Sequence, residues 1–285
     1  MSFSADVKEE LNNNLSLKNK EFLKAELLGY LISNNTTINK GKKYSNISYV
    51  TENEFNIEHL YKILVNLNIA YDPEIKGKTF VALIEDFDFV KLEQLFETNK
   101  SELKKVILRG CFLGAGSIND PTKNYHAEIK LNSEKYCKIL IKICEDIGLK
   151  IKKVEGQPTL YITDGNGISE LLAIIGANKS VIKFEEIRTI REVRNSLNRK
   201  VNCETANINK TVNASLDQIE DIKLIIKKKK FESLTDEQKE IAKLRIEYPD
   251  ATLKELGQML VNPIGKSGVN HRLQKIHEVA EELRK

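Results

Sequence analysis

Leu27-Leu-Gly-Tyr-Leu-Ile-Ser-Asn-Asn35 and Leu108-Arg-Gly-Cys-Phe-Leu-Gly-Ala-Gly116 are two versions of one nine-residue segment, 81 positions apart. Each is largely apolar, and each has small residues four apart: Gly29 and Ser33 in the first, Gly110 and Gly114 in the second. Residues four apart share a helix face, so each segment offers a stripe where another backbone can come close. Because both copies carry the stripe at the same place, the two helices are expected to pack on each other about a pseudo-two-fold axis.

Working outward, two further matches follow in the same order. Tyr61-Lys-Ile-Leu64 matches Cys137-Lys-Ile-Leu140, and Thr79-Phe-Val-Ala-Leu83 matches Thr159-Leu-Tyr-Ile-Thr163, at offsets of 76 and 80. Ordered matches with small length changes indicate a duplicated unit. Helical periodicity covers 17–33, 56–68 and 87–97 in the first copy, and 101–115, 133–147 and 167–176 in the second. Strand-like stretches are 46–51, 79–84, 125–131 and 158–163. The expected fold is therefore an α+β N-terminal domain of two repeats, each reading helix, strands, helix, strand, helix.

The C-terminal stretch Thr252-Leu-Lys-Glu-Leu-Gly-Gln-Met-Leu260, Val-Asn-Pro-Ile-Gly265, Lys266-Ser-Gly-Val-Asn-His-Arg-Leu-Gln-Lys-Ile276 reads as helix, turn, helix. Thr252 with Glu255 three residues on is a capping-box pattern. Leu253, Leu256 and Leu260 share one face, Pro263 blocks the first helix, and Gly265 is a permitted N-cap for the second. In that second helix Val269, Leu273 and Ile276 form an inward stripe. Ser267, His271 and Gln274 point the opposite way, Asn270 and Lys275 flank them, and Lys266 and Arg272 lie at the sides. Asn, Gln, Ser and Lys can bond base edges, and Lys and Arg suit phosphates. The DNA-binding set read from this pattern is Lys266, Ser267, Asn270, His271, Arg272, Gln274 and Lys275. The bland reading of the same pattern is a small helical core with a solvated polar face.

Composition allows two cores in 285 residues and excludes a disordered chain. Residues 177–285 hold 22 Lys/Arg against 17 Asp/Glu, whereas residues 1–176 hold 23 against 24. The basic excess thus lies with the helix-turn-helix, as suits a nucleic-acid binder. There is no apolar run long enough for a membrane span, and the N-terminus is unlike a signal peptide. Cys111, Cys137, Cys144 and Cys203 make no Cys-x-x-Cys pair, and the four histidines make no metal cluster. The expectation is a cytoplasmic, nucleoid-associated protein with reduced thiols, no cofactor and no metal.

The two nine-residue segments resemble degenerate LAGLIDADG motifs, the signature of homing endonucleases. Together with Leu108–Pro121, Asn198–Thr211 and Pro249–Ile276, they resemble the WhiA family of bacterial transcription regulators. That resemblance implies an endonuclease-like domain without activity, fused to a promoter-binding helix-turn-helix, with targets in cell division, chromosome segregation or sporulation. The family usually has a small hydroxyl residue where this chain has Gly265, which removes one N-cap hydrogen bond.

LAGLIDADG nucleases carry a metal-binding acid at the eighth motif position of each repeat, and here those positions are Asn34 and Ala115. Asn offers at most one neutral carbonyl and Ala offers nothing, whereas cleavage needs carboxylates around a hard divalent cation. Asp120 is too far along to substitute. A nucleotide-binding loop at Gly265-Lys266-Ser267 is also excluded, because the required earlier glycine is Leu260. The connector carries Arg188, Arg191, Arg194, Arg199, Lys200 and Lys227 to Lys230, which are either solvated faces or phosphate ligands.

The expected organisation is a first repeat at 1–98, a second at 99–182, a helical connector at 183–231 and a helix-turn-helix domain at 232–285. The expected function is sequence-specific binding of double-stranded DNA to regulate transcription, by a monomer or weak dimer, with other transcription proteins as further partners. The alternatives are a metal-dependent DNA endonuclease and a scaffold that binds a protein or ligand through its N-terminal half.

Overall fold

The computed structural model describes residues 2–14, 17–41 and 43–284. The outermost positions of the expected domains, Met1 and Lys285, lie outside these. The chain divides into two compact units, Met1–Glu192 and Val193–Lys285.

The first unit contains the duplication. Its first copy runs α2 (Lys20–Leu31), β1 (Thr36–Lys40), β2 (Ser45–Thr51), α3 (Glu54–Asn66), β3 (Asp72–Lys76), β4 (Thr79–Phe87) and α4 (Phe89–Glu93). The second runs α5 (Ser101–Ala115), β5 (Gly116–Ile118), β6 (Ala127–Lys130), α6 (Glu134–Asp146), β7 (Lys152–Lys153), β8 (Thr159–Ile162) and α7 (Gly165–Ile175). Each copy builds a four-stranded antiparallel sheet, ordered β1-β2-β4-β3 in one and β5-β6-β8-β7 in the other. The topologies are identical, which is the strongest structural expression of the repeat. Against the expected order of helix, strands, helix, strand, helix, each copy gains one strand after its second helix, β3 in the first and β7 in the second.

The motif helices α2 and α5 meet at their glycines. A Cβ on Gly29 would lie 2.3 Å from the Ile107 carbonyl oxygen, and one on Gly110 would lie 2.1 Å from that of Glu26. Only glycine permits that approach. Around this contact one continuous core forms, with Leu27, Leu28, Leu31, Leu108, Cys111 and Phe112 fully buried. The two repeats also cap each other's motif helix. Asn35 Nδ2 and Tyr49 Oη donate to the Gly114 carbonyl at 2.8 and 3.1 Å, and Asn56 Nδ2 donates to that of Leu113 at 2.7 Å. In the other direction, Asn132 Nδ2 donates to the Leu31 carbonyl at 3.2 Å.

An N-terminal helix, α1 (Phe3–Asn13), was not anticipated. It buries Phe3, Val7 and Leu11 along one stripe and takes its N-cap from Ser2. Its Glu10 carboxylate accepts from the Lys179 and Ser180 backbone amides at 2.8 and 2.9 Å. These amides open α8 (Asn178–Lys227), a helix of 50 residues. A carboxylate at that position completes unpaired amides and opposes the positive end of the helix dipole.

Two of the connector arginines have structural partners within the first unit. Arg191 donates to the Pro121 and Lys123 carbonyls and stacks on Tyr125 at 4.5 Å, clamping the loop after β5. Arg188 pairs with Glu185 and Glu192. The reading of these two as phosphate ligands gives way to these contacts.

Candidate nucleic-acid interface

The second unit packs the end of α8 with α9 (Asp236–Glu247), α10 (Leu253–Met259) and α11 (Lys266–Arg284). Its core is Ile222, Ile225, Leu234, Ile241, Ala242, Leu256, Leu260, Val269, Leu273, Ile276 and Ala280. Leu253 is partly buried at its edge.

Both short helices start with reciprocal capping boxes. Thr235 and Gln238 form one for α9, and Thr252 and Glu255 form the other for α10. The Glu255 carboxylate accepts from the Thr252 amide at 2.7 Å, and these Thr252 hydrogen bonds hold its pKa below the ordinary value. The tight turn into α11 rests on Gly257. A Cβ there would lie 2.3 Å from the Ile264 carbonyl oxygen, and the Ile264 amide bonds the Gly257 carbonyl at 3.1 Å. Gly265 accepts the first bonds of α11 through its carbonyl and has open space where a side chain would go.

Two polar clusters fix the frame. Arg245 is 2% exposed and donates to the carbonyls of Pro249 (3.2 Å) and Ala251 (2.7 Å) and to the Ser215 hydroxyl (3.4 Å). Burial lowers its pKa. It joins α9, the turn before α10 and α8. Asp221 on α8 binds His277 Nδ1 and the Arg284 guanidinium, both at 2.7 Å, and so anchors the far end of α11.

On that frame α11 turns Val269, Leu273 and Ile276 inward. Lys266, Ser267, Asn270, His271, Gln274 and Lys275 are exposed, and Arg272 is partly buried. Arg272 lies 3.4 Å from Glu237, and Lys275 lies 2.6 Å from Glu278. The run Lys227–Lys230 ends α8, with all four side chains exposed and Lys229 in the left-handed region at φ 57°. Sequence reasoning missed Gly257 and Arg245. Gly257 sits inside the helical pattern, and a glycine there signals close packing. Arg245 gave no local signal.

Asn34 and Ala115, the eighth residues of the two nine-residue segments, lie elsewhere, in the first unit. Asn34 is exposed at the end of α2, with its amide bonded to the Lys130 carbonyl at 3.0 Å, and Ala115 closes α5. Among the described residues, no group of three or more His, Cys, Asp or Glu could hold a metal ion. No helix there is long and apolar enough to cross a membrane.

These features define a class: a LAGLIDADG-like α+β domain of two repeats joined to a helical helix-turn-helix unit. Comparison with known proteins agrees with both parts. Residues 104–194 match the WhiA LAGLIDADG-like domain, and residues 197–280 match the WhiA C-terminal HTH domain. The probable cell division protein WhiA of Clostridium perfringens is 37% identical in an alignment covering 100% of this chain and 99% of the relative. That of Clostridium tetani is 42% identical over 85% of this chain and 77% of its own length. The crystal structure of full-length DUF199/WhiA from Thermotoga maritima is similar, with a TM-score of 0.63 and 26% identity, covering 99% of each chain. The chain belongs to the WhiA family.

Proposed function

We propose that this protein binds double-stranded DNA sequence-specifically and regulates transcription, with α11 as the reading helix. The observation that carries this reading is the division of α11. Its apolar residues are buried in the unit's core, which leaves a polar, basic face of Lys266, Ser267, Asn270, His271, Gln274 and Lys275 with the shape that enters a major groove. Lys227–Lys230 and the flanks of α11 supply backbone contacts. The naming of the two clostridial relatives as probable cell division proteins favours genes of division, chromosome segregation or sporulation as targets. Such a protein works in the cytoplasm at the nucleoid.

The first unit acts without cleaving DNA. Asn34 and Ala115 lack the carboxylates that a LAGLIDADG metal site uses, and the neighbouring Gly114 and Leu113 carbonyls are engaged by Asn35, Tyr49 and Asn56. The test is selection of bound sequences from a random duplex pool by the full chain, then incubation of the selected duplex with Mg²⁺. Enrichment of one motif without strand cleavage is expected. Binding that stays uniform across the pool overturns the regulator reading, and metal-dependent turnover overturns the non-enzymatic one.

A further inference from the structure

Within the first unit, a cleft of about 400 Å³ opens beside α2, between the end of α3 and the end of β4. Leu27 and Leu92, both buried, form its floor. Its walls are Leu67, Ile69, Phe87 and Leu95, which pack against the core of the unit yet stay partly exposed. Small-molecule sites usually have volumes of about 300–1,000 Å³ and apolar walls with few polar groups, and this cleft has both.

The second copy of the repeat has the same positions and closes them. Asp88 and Asp164 are the N-caps of α4 and α7, and each accepts from the amide three residues on, at 3.0 and 2.8 Å. Ile69 and Leu149 each follow a residue in the left-handed region, Asn68 at φ 55° and Gly148 at φ 81°. Their amides bond the carbonyls of Leu64 and Cys144, at 3.0 and 2.8 Å. With these anchors matched, Leu95 corresponds to Leu171. Leu149 is 2% exposed and Leu171 1%, whereas Ile69 and Leu95 are only partly covered. The cause is the length of the last helix. α7 runs for 11 residues and buries Ile168, Leu171, Leu172 and Ile175. α4 stops after five and passes into a tight helical turn, Gln94–Glu97, with no fully buried residue, since only residues 98–100 separate that turn from α5. The opening therefore belongs to the first copy and not to the fold of the repeat.

The rim of the cleft has an excess of positive charge. Lys24 and Lys91 line it and are exposed, and among the described residues neither ammonium has an ion-pair or hydrogen-bond partner. The third charge is Asp88, whose carboxylate is engaged by the Lys91 amide. Two free ammonium groups against one engaged carboxylate favour an anion and disfavour a cation. An apolar cleft with such a rim suits a ligand with an alkyl body and one carboxylate at its end.

We propose that this cleft binds a small amphipathic monocarboxylate, with its apolar body between Ile69 and Leu95 and its carboxylate at Lys24 and Lys91. All of these residues lie in the first unit, so the site stands or falls apart from DNA binding by the helix-turn-helix.

The test uses the full chain and decanoate. Methyl NMR should show saturable shifts at Leu67, Ile69 and Leu95, with a Kd of about 0.1 mM or below. Octanoate, two methylenes shorter, should bind about tenfold more weakly. Lys24→Gln with Lys91→Gln should weaken decanoate about fivefold and leave decanol unaffected. Both positions are exposed, so this variant keeps the fold. Leu95→Trp, which adds bulk inside the cleft, should abolish binding while circular dichroism stays unchanged. Shifts that do not saturate by about 1 mM, or that fall on methyls away from the cleft, overturn the site. A lysine variant that keeps its full affinity for decanoate, or loses decanol equally, overturns the choice of a carboxylate.

Discussion

Glu26 and Arg109 form a bidentate ion pair across the seam of the two repeats, with N···O distances of 2.9 and 2.6 Å, while the positions related to them by the duplication, Ile107 and Leu28, are apolar. The pair is thus made once, not twice. His59 Nε2 also lies 2.9 Å from Glu26, and Asn12, which accepts from Lys62 at 3.2 Å, faces the other side of the imidazole. This network distinguishes the two halves of an otherwise symmetric contact and fixes which face of α2 meets α5.

Arg109→Leu should cost about 3–5 kcal/mol at pH 7, because it leaves the buried Glu26 carboxylate short of charge. Burial alone would raise the pKa of Glu26, but His59 and Arg109 together hold it below its ordinary value of 4.5. A carboxyl depressed in the folded chain contributes stability above its unfolded pKa and loses it as pH falls through the folded value. The penalty of Arg109→Leu should therefore shrink as pH falls from 5 towards the folded value. Urea unfolding at pH 7 and at about pH 3 reads this out, and an equal penalty at both would show that the pair is not what matters.

Gly29→Ala and Gly110→Ala should each destabilise the first unit by more than about 3 kcal/mol, since their methyl groups fall on backbone atoms that cannot move aside alone. Gly265→Ala, with nothing within 4 Å of its Cβ, should change stability by less than about 1 kcal/mol. Calorimetry of the three variants would separate close contact from a general intolerance of glycine replacement.

Arg245→Met should destabilise the second unit by about 2–4 kcal/mol, because the carbonyls of Pro249 and Ala251 lose their donor inside the protein. The loss should appear as faster amide exchange in α9 and α10, with the first unit unaffected. Uniform change across the chain would contradict so local a role.

Asn270→Ala should cost about 1–3 kcal/mol on the selected DNA site and relax preference at one base pair. Lys275→Ala should weaken all duplexes alike and lower the salt slope by about one unit. Equal losses of Asn270→Ala on selected and random DNA would move the reading face elsewhere.

The central helices of the first unit were legible because their information is local and doubled. Gly29 with Ser33 and Gly110 with Gly114 state the contact twice, and the nine-residue segments repeat. The added strands were not legible, for a physical reason. β3 is Asp-Pro-Glu-Ile-Lys, β7 is two lysines, and both lie at sheet edges with little burial, so neither carries an apolar alternation. In α1, the Ser2 cap and the Phe3, Val7, Leu11 spacing were present but short. The ion pair of Glu26 with Arg109 spans 83 positions, and the clamp of Arg191 on Pro121 spans 70, so neither has a signature in any sequence window. In the candidate interface, the division of α11 into faces could be read from periodicity, whereas the anchors Arg245 and Asp221 could not, because their partners are set by tertiary packing.

The bond between Glu10 and the start of α8 has a consequence in time. The carboxylate is made 169 residues before the first amide it caps. At about 5–20 residues per second of synthesis, that interval is on the order of ten to thirty seconds. During it the first helix has emerged from the ribosome without the partner that completes its docking. Within its apolar stripe the Phe3 ring, which meets Phe184 of α8 at 6.1 Å, lacks that cover in the meantime, and the first unit closes fully only when the start of α8 arrives.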